Sequence, residues 1–258
     1  MTQNTLTIAG IDVACCTPQD AVATIISTAT QRKGAAFHFI NAYTVSLTVS
    51  SPDLKDVLNC SRATFPDGKP LTWVGRMRRA SVHQIRGPEL FESVLDQGRP
   101  EGVRHFLLGG TEENLPRLVS KIEGKFPGVR IVGSWSPPFR ALTSDEVDAQ
   151  DALIVGSGAE VVWVGLGTPK QDHEVFRLAL TLPVTAVAVG AAFDFTAGTK
   201  RLAPAWVTRA GFEWFFRFIN EPRRLWKRYT VGNFLFIIQI VRNWRVDNEH
   251  QRRAPQTA

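Results

Sequence analysis

The chain has 258 residues, 44% of them hydrophobic, which is enough apolar material for a substantial core and excludes a disordered or fibrous protein. Its three cysteines, Cys15, Cys16 and Cys60, form neither a disulfide framework nor a CxxC-type metal spacing, so a reducing compartment fits best. The net charge of +6 is unevenly placed: residues 199–258 hold 12 Lys/Arg against 4 Asp/Glu, while the rest is mildly acidic.

Met1 to Cys16 lacks a basic stretch followed by an apolar one and does not read as a signal peptide. Thr17-Pro18 is the first helix start, a capping side chain followed by proline in the first turn. A buried-looking strand is predicted at Ala36–Ile40. A short β-like stretch then leads into Phe65-Pro66-Asp67-Gly68-Lys69-Pro70, a turn succeeded by a helix-like segment. Strands at His105–Leu108 and Arg130–Val132 alternate with helix starts at Thr111-Glu112 and Thr143-Ser144. Val161–Val164 runs through a glycine turn into a helix opening at Thr168-Pro169, and Ala186–Val189 is the last strand.

Such apolar runs, bounded by glycine and alternating with segments of helical period, are βα units around a mostly parallel sheet, an α/β fold. After Gly198 the pattern becomes helix-only, with a break at Glu221-Pro222, because a residue before proline is biased away from the helical region. We therefore expect a core over 1–198 and a basic helical appendage in two pieces over 199–258, with a disordered end from Gln251 to Ala258. The most apolar stretches, Val184 to Phe195 and Val231 to Val241, fall short of the roughly 20 residues that span a bilayer.

Three segments carry candidate chemistry. Asp67, on its Pro/Gly-fixed turn, is either a turn residue or a general base able to take the proton of an attacking hydroxyl. Gly165-Leu-Gly167-Thr-Pro169-Lys-Gln171 is either a helix–sheet connection needing small residues or an anion site formed by free N–H groups at the helix start. Asp194 interrupts the apolar run Gly190–Phe195, so it needs a partner, with Arg201 or another arginine of the appendage expected to serve in an ion pair or a ligand contact. Asp172-His173-Glu174 is discounted as a metal motif, since helical residues two apart do not face each other. With no Asp-x-Asp or His/Cys cluster elsewhere, no metal and no cofactor are expected.

Together these segments resemble the WecG/TagA/CpsF family of glycosyltransferases over roughly Ile11 to Trp244. The resemblance is carried by Phe65-Pro-Asp67-Gly68, Gly165 to Gln171, Gly190 to Gly198, Arg201-Leu-Ala-Pro204-Ala-Trp206, and Glu213-Trp214-Phe-Phe-Arg217 through Glu221-Pro222 to Tyr229. It implies a Rossmann-like core with helices on both faces and a metal-independent, inverting transfer at the cytoplasmic face of the membrane. The sugar is N-acetylmannosamine, its uronic acid or a glucose-type sugar, and the acceptor a polyprenyl-diphosphate-linked saccharide. By the same resemblance Asp67 is the base, Asn41 and Gln171 are donor or acceptor contacts, and Arg217, Arg224 and Lys227 reach the diphosphate. The family often has threonine where this chain has Phe39, and Thr44 is the candidate to stand in for it. Arg86, Gly167, Asp194 and Arg201 complete the candidate substrate contacts.

The expected partners are a nucleotide-sugar donor, with uridine diphosphate as its carrier, a lipid-linked acceptor and an anionic membrane surface. Trp206, Trp214, Trp226 and Trp244 are interleaved with the basic residues of the appendage, which suits a peripheral position at the inner face of the cell membrane. A second copy of the chain is left open as a partner. Binding to nucleic acid through the same basic, aromatic segment is the rival reading, disfavoured by the acidic body. A Rossmann-type oxidoreductase is disfavoured by the missing Gly-x-Gly-x-x-Gly.

Overall fold

A computed structural model of the chain describes residues 4–200, 216, 218, 219 and 222–253. Its centre is a parallel six-stranded sheet in the order β4-β3-β8-β7-β5-β6. The strands are β3 (Ala35–Ile40), β4 (Ala63–Pro66), β5 (Arg104–Gly109), β6 (Arg130–Trp135), β7 (Val161–Gly165) and β8 (Thr185–Ala188). Each strand predicted from an apolar run is present, with ends shifted by at most three residues. Residues 161–164 are buried throughout because both faces of the sheet are covered, which is why the run is apolar without alternation. Val161 and Trp163 face one helical layer and Val162 and Val164 the other, as the two-residue period of a strand requires.

One layer comprises α1 (Pro18–Thr30), α5 (Gly87–Gln97) and α6 (Asn114–Lys125); the opposite layer comprises α7 (Ser144–Ser157) and α8 (Lys170–Thr181). The predicted starts at Thr17 and Thr143 are reciprocal capping boxes, the Thr17 hydroxyl accepting from the Asp20 N–H and the Thr143 hydroxyl from that of Glu146. Helix α3 (Pro52–Cys60) lies against β4, α2 (Ala42–Leu47) follows β3 and α4 (Lys69–Met77) follows β4 in the chain, and α9 (Ala192–Thr196) follows β8.

An antiparallel hairpin, β1 (Thr5–Ile8) and β2 (Ile11–Ala14), was not expected from the sequence. Its Leu6, Ile8, Ile11 and Val13 pack with Ile40, Val45, Leu58 and Leu71, and with Phe236 and Ile240 from the far end of the chain. Those last two lie on α11 (Asn233–Arg253), which is preceded by α10 (Pro222–Lys227) and a π-helical segment, Arg228–Gly232. Of the break expected at Glu221-Pro222, Pro222 is the first residue of α10 and Glu221 lies outside the described residues.

The disordered end expected over Gln251 to Ala258 is corrected for residues 251–253, while 254–258 lie outside the described residues. Helix α11 runs to Arg253, and the Gln251 side chain accepts from the Thr7 N–H at 3.2 Å and donates to the Thr5 carbonyl at 2.8 Å. A hydrogen-bonded hairpin edge holds the residue that composition alone marks as an end. Among the described residues no helix is long and apolar enough to cross a membrane.

Candidate active site at the strand ends

A parallel sheet brings the C-terminal ends of its strands to one rim, where open α/β folds bind ligands. Ile40 and Pro66 are register partners at the ends of β3 and β4, and the Asp67 N–H donates to the Ile40 carbonyl at 2.7 Å. Asn41 and Asp67 therefore leave neighbouring strands side by side, although 26 positions separate them in sequence. Gly68 then turns the chain into α4 with a φ of +141°, a region that L side chains rarely adopt, and a Cβ there would lie 3.7 Å from that of Asn41. Asp67 itself is half-buried, held at the rim rather than in the core.

The Asn41 side chain caps α2, accepting from the N–H groups of Tyr43 at 3.0 Å and Thr44 at 3.2 Å. Thr44 is 1% exposed, and its hydroxyl accepts from the Asn41 N–H at 3.4 Å. It lies beneath Asn41, so its effect on the rim passes through that residue. Phe39 belongs to the core, its ring tilted against Phe65 at 5.5 Å. Arg86 precedes α5 in a segment laced to the same rim, with the Ile85 N–H donating to the Pro66 carbonyl at 2.8 Å. Its guanidinium pairs with Glu89 at 2.5 Å.

The loop after β7 is held by Gln171, which is 4% exposed. Its Oε1 accepts from the Gly167 N–H at 3.0 Å, and its Nε2 donates to the Thr168 hydroxyl at 3.3 Å. The same amide touches the next loop, since a Cβ on Gly190 would lie 3.6 Å from Oε1. Of the N–H groups expected to be free here, that of Gln171 donates to the Gly167 carbonyl and those of Asp172 and His173 to the Pro169 carbonyl, so the loop folds back and takes up these three amides of the first turn of α8.

Asp194 pairs with Lys200 at 2.9 Å, and the expected partner Arg201 lies outside the described residues. The turn after α9 brings Lys200 back, its own N–H donating to the Asp194 carbonyl. Arg201 and Arg217 lie outside the described residues, as do the side chains of Arg224 and Lys227 on α10. Asp172, His173 and Glu174 diverge as expected: they meet His38, Asp53 and Arg177 respectively. Among the described residues no group of three or more His, Cys, Asp or Glu could hold a metal ion.

The sequence reading missed the loop after β5. Helix α6 after β5 and α8 after β7 cover opposite faces of the sheet, so a crevice opens between these adjacent strand ends. There Gly109 has a φ of +117°, and a Cβ on it would come within 2.7 Å of the Gly165 carbonyl oxygen, so the two backbones touch. The Gly109-Gly110 pair was the available signal.

A profile of the glycosyl transferase WecG/TagA/CpsF family matches residues 6–250 of the chain. Among curated proteins, an N-acetylglucosaminyldiphosphoundecaprenol N-acetyl-beta-D-mannosaminyltransferase of Bacillus subtilis strain 168 is 28% identical over 203 residues, covering 77% of this chain and 76% of its own length.

Proposed function

The chain belongs to the WecG/TagA/CpsF glycosyltransferase family and is a glycosyltransferase, and from that premise we propose that it transfers N-acetylmannosamine, with inversion and without a metal, from a uridine diphosphate donor to a polyprenyl-diphosphate-linked N-acetylglucosamine. The choice of sugar and acceptor is supported by the name of the Bacillus subtilis relative. The observation that carries the chemistry is the placement of Asp67 beside Asn41 on the strand-end rim.

In this reading the Asp67 carboxylate takes the proton of the acceptor hydroxyl as its oxygen attacks the anomeric carbon from the side opposite the nucleotide. The bond from that carbon to the diphosphate oxygen breaks, and its electron pair leaves with the diphosphate. The donor lies along the rim, from the β5/β7 crevice toward Asn41 and Asp67. Strands β7 and β4 are three spacings apart, about 14 Å, a span suited to a nucleotide sugar. Arg86, Arg217, Arg224 and Lys227 neutralise the leaving group, which is why no divalent ion is needed.

Residues 1–198 form the transferase core in this proposal, and 199–258 both complete the site and attach the enzyme to the inner membrane face. Two features of α11 support attachment. Phe236 and Ile240 are buried on the hairpin, whereas Phe234, Ile237 and Val241 are more than half exposed on the other side, next to exposed Arg242 and Arg245. An apolar stripe flanked by arginine suits an anionic bilayer surface. The test of the whole reading is nucleotide release from a panel of uridine, guanosine and thymidine diphosphate sugars with a short-chain lipid-diphosphate saccharide. Release of uridine diphosphate from the N-acetylmannosamine donor alone is expected; equal release from every donor would overturn the assignment.

A further inference from the structure

His38, Asp172 and Ser61 form a buried chain that the proposed chemistry does not use. The His38 Nδ1 lies 3.0 Å from Asp172 Oδ1 and its Nε2 lies 2.8 Å from the Ser61 hydroxyl, with His38 and Asp172 wholly shielded from solvent. The order of groups is that of a nucleophilic triad, but the protons are placed otherwise. Ser61 donates its proton to the Val57 carbonyl at 2.6 Å, and a carbonyl only accepts. The His38 Nε2 must then donate to Ser61, so it has no lone pair with which to act as a base. The 3.0 Å contact to Asp172 holds a second proton, which makes the His38–Asp172 pair neutral as a unit. Ser61 is not a nucleophile here.

What the pair joins is informative. His38 lies on the face of β3 opposite Phe37 and Phe39, toward α8, and three residues ahead of Asn41 at the strand end. Asp172 follows Gln171 in the first turn of α8, and Gln171 holds Gly167 and Thr168 and lies beside Gly190. Apolar packing between α8 and the sheet is non-directional and leaves the helix free to rotate or slide slightly. A hydrogen bond between buried groups is directional and fixes both angle and height.

We propose that His38 and Asp172 are positioning residues: their bond sets the first turn of α8 against β3, and thereby sets Gln171 and the 165–169 loop relative to Asn41. The proposal rests on the reading of the strand-end rim as the donor site.

The test uses the full chain with His38→Leu/Asp172→Leu, which keeps a buried pair but removes the directional bond, and Asp172→Asn, which keeps a bond by donating its amide N–H to the Nδ1 lone pair of a neutral His38 whose Nε2–H still donates to Ser61. A buried pair replaced by apolar groups is commonly as stable as the original, so the double variant should melt near the wild type. Amide hydrogen exchange in residues 165–171 should rise about tenfold in the double variant and less than about threefold in Asp172→Asn, with exchange in α5 and β6 unchanged. The dissociation constant for uridine diphosphate should weaken about tenfold in the double variant and little in Asp172→Asn.

Unchanged exchange at 165–171, a rise of equal size throughout the protein, or an equal loss in Asp172→Asn would each overturn the proposal. Should the double variant not fold, His38→Ala carries the same expectations for exchange and for binding, at a lower melting temperature because it leaves the Asp172 carboxylate unpaired. If the wild type binds no uridine diphosphate, the donor assignment fails while the exchange measurement still decides the positioning role.

Discussion

The Arg78 guanidinium, 4% exposed at the end of α4, lies 3.4 Å from the Asp247 carboxylate, 1% exposed on α11. It also donates to the Thr7 carbonyl at 2.7 Å and sits 4.4 Å over the Trp244 ring. Asp247 in turn accepts from the N–H groups of Ala9 and Gly10 at the hairpin tip. Helix α4 starts at the Asp67-Gly68 turn, so this contact ties the C-terminal helix to the element that carries the proposed base.

Removing one partner of this pair strands the other. Asp247→Ala should destabilise the protein by about 3–5 kcal/mol, because a buried guanidinium and two hairpin amides lose their acceptor. Arg78→Met with Asp247→Leu should cost clearly less. Urea denaturation of both variants checks this, and equal losses would contradict it.

Attachment to membranes should separate from folding along the two sides of α11. Replacing Phe234, Ile237 and Val241 together by serine should abolish pelleting with anionic liposomes at an unchanged melting temperature. Phe236→Ala should instead destabilise by about 3–5 kcal/mol, since it opens a cavity between the helix and the hairpin. Deleting 199–258 is a poor test of attachment for the same reason, as it takes core residues with it.

Asp67→Asn should leave the fold intact and lower turnover by about two to four orders of magnitude, the usual contribution of a general base. The amide keeps the shape of the rim but cannot take the proton. Turnover within about threefold of wild type, at saturating donor and acceptor, would remove Asp67 from the mechanism.

Turnover should survive incubation with EDTA. The reason lies in the side chains: the described residues offer no set of three ligands, and the basic groups assigned to the leaving diphosphate do not depend on a metal. Loss of turnover restored by magnesium or manganese would contradict it.

Acid sensitivity should trace to His105, whose ring is pushed by burial down to about 3. Its Nδ1 accepts from the Trp163 indole N–H at 3.1 Å. The folded pKa lies below the unfolded one, so this group's contribution is fully present above about pH 6.5 and is lost as the pH falls toward 3. At pH 5 the loss is about 2 kcal/mol. His105→Asn keeps an acceptor for Trp163 without titrating, and denaturation at pH 7.5 and pH 5 should show a smaller difference for it than for the wild type.

The sequence by itself determined the motifs and most of the local elements, the β1–β2 hairpin excepted. Short β-branched runs such as Val161–Val164, bounded by glycine, read as buried strands, Thr17 and Thr143 cap through atoms three residues away, and Asp67 stands out as an acid on a rigid turn. These signals are short-range, set by backbone period and side-chain reach. Tertiary structure alone decided that Asn41 meets Asp67, that Gly109 abuts Gly165, that His38 bonds Asp172, and that Gln251 closes on Thr5. Such pairs are separated by tens to hundreds of residues, and no periodicity encodes them. They follow from which surfaces fit once the layers stack, because apolar packing chooses neighbours by shape and each buried polar group must then find its partner within reach.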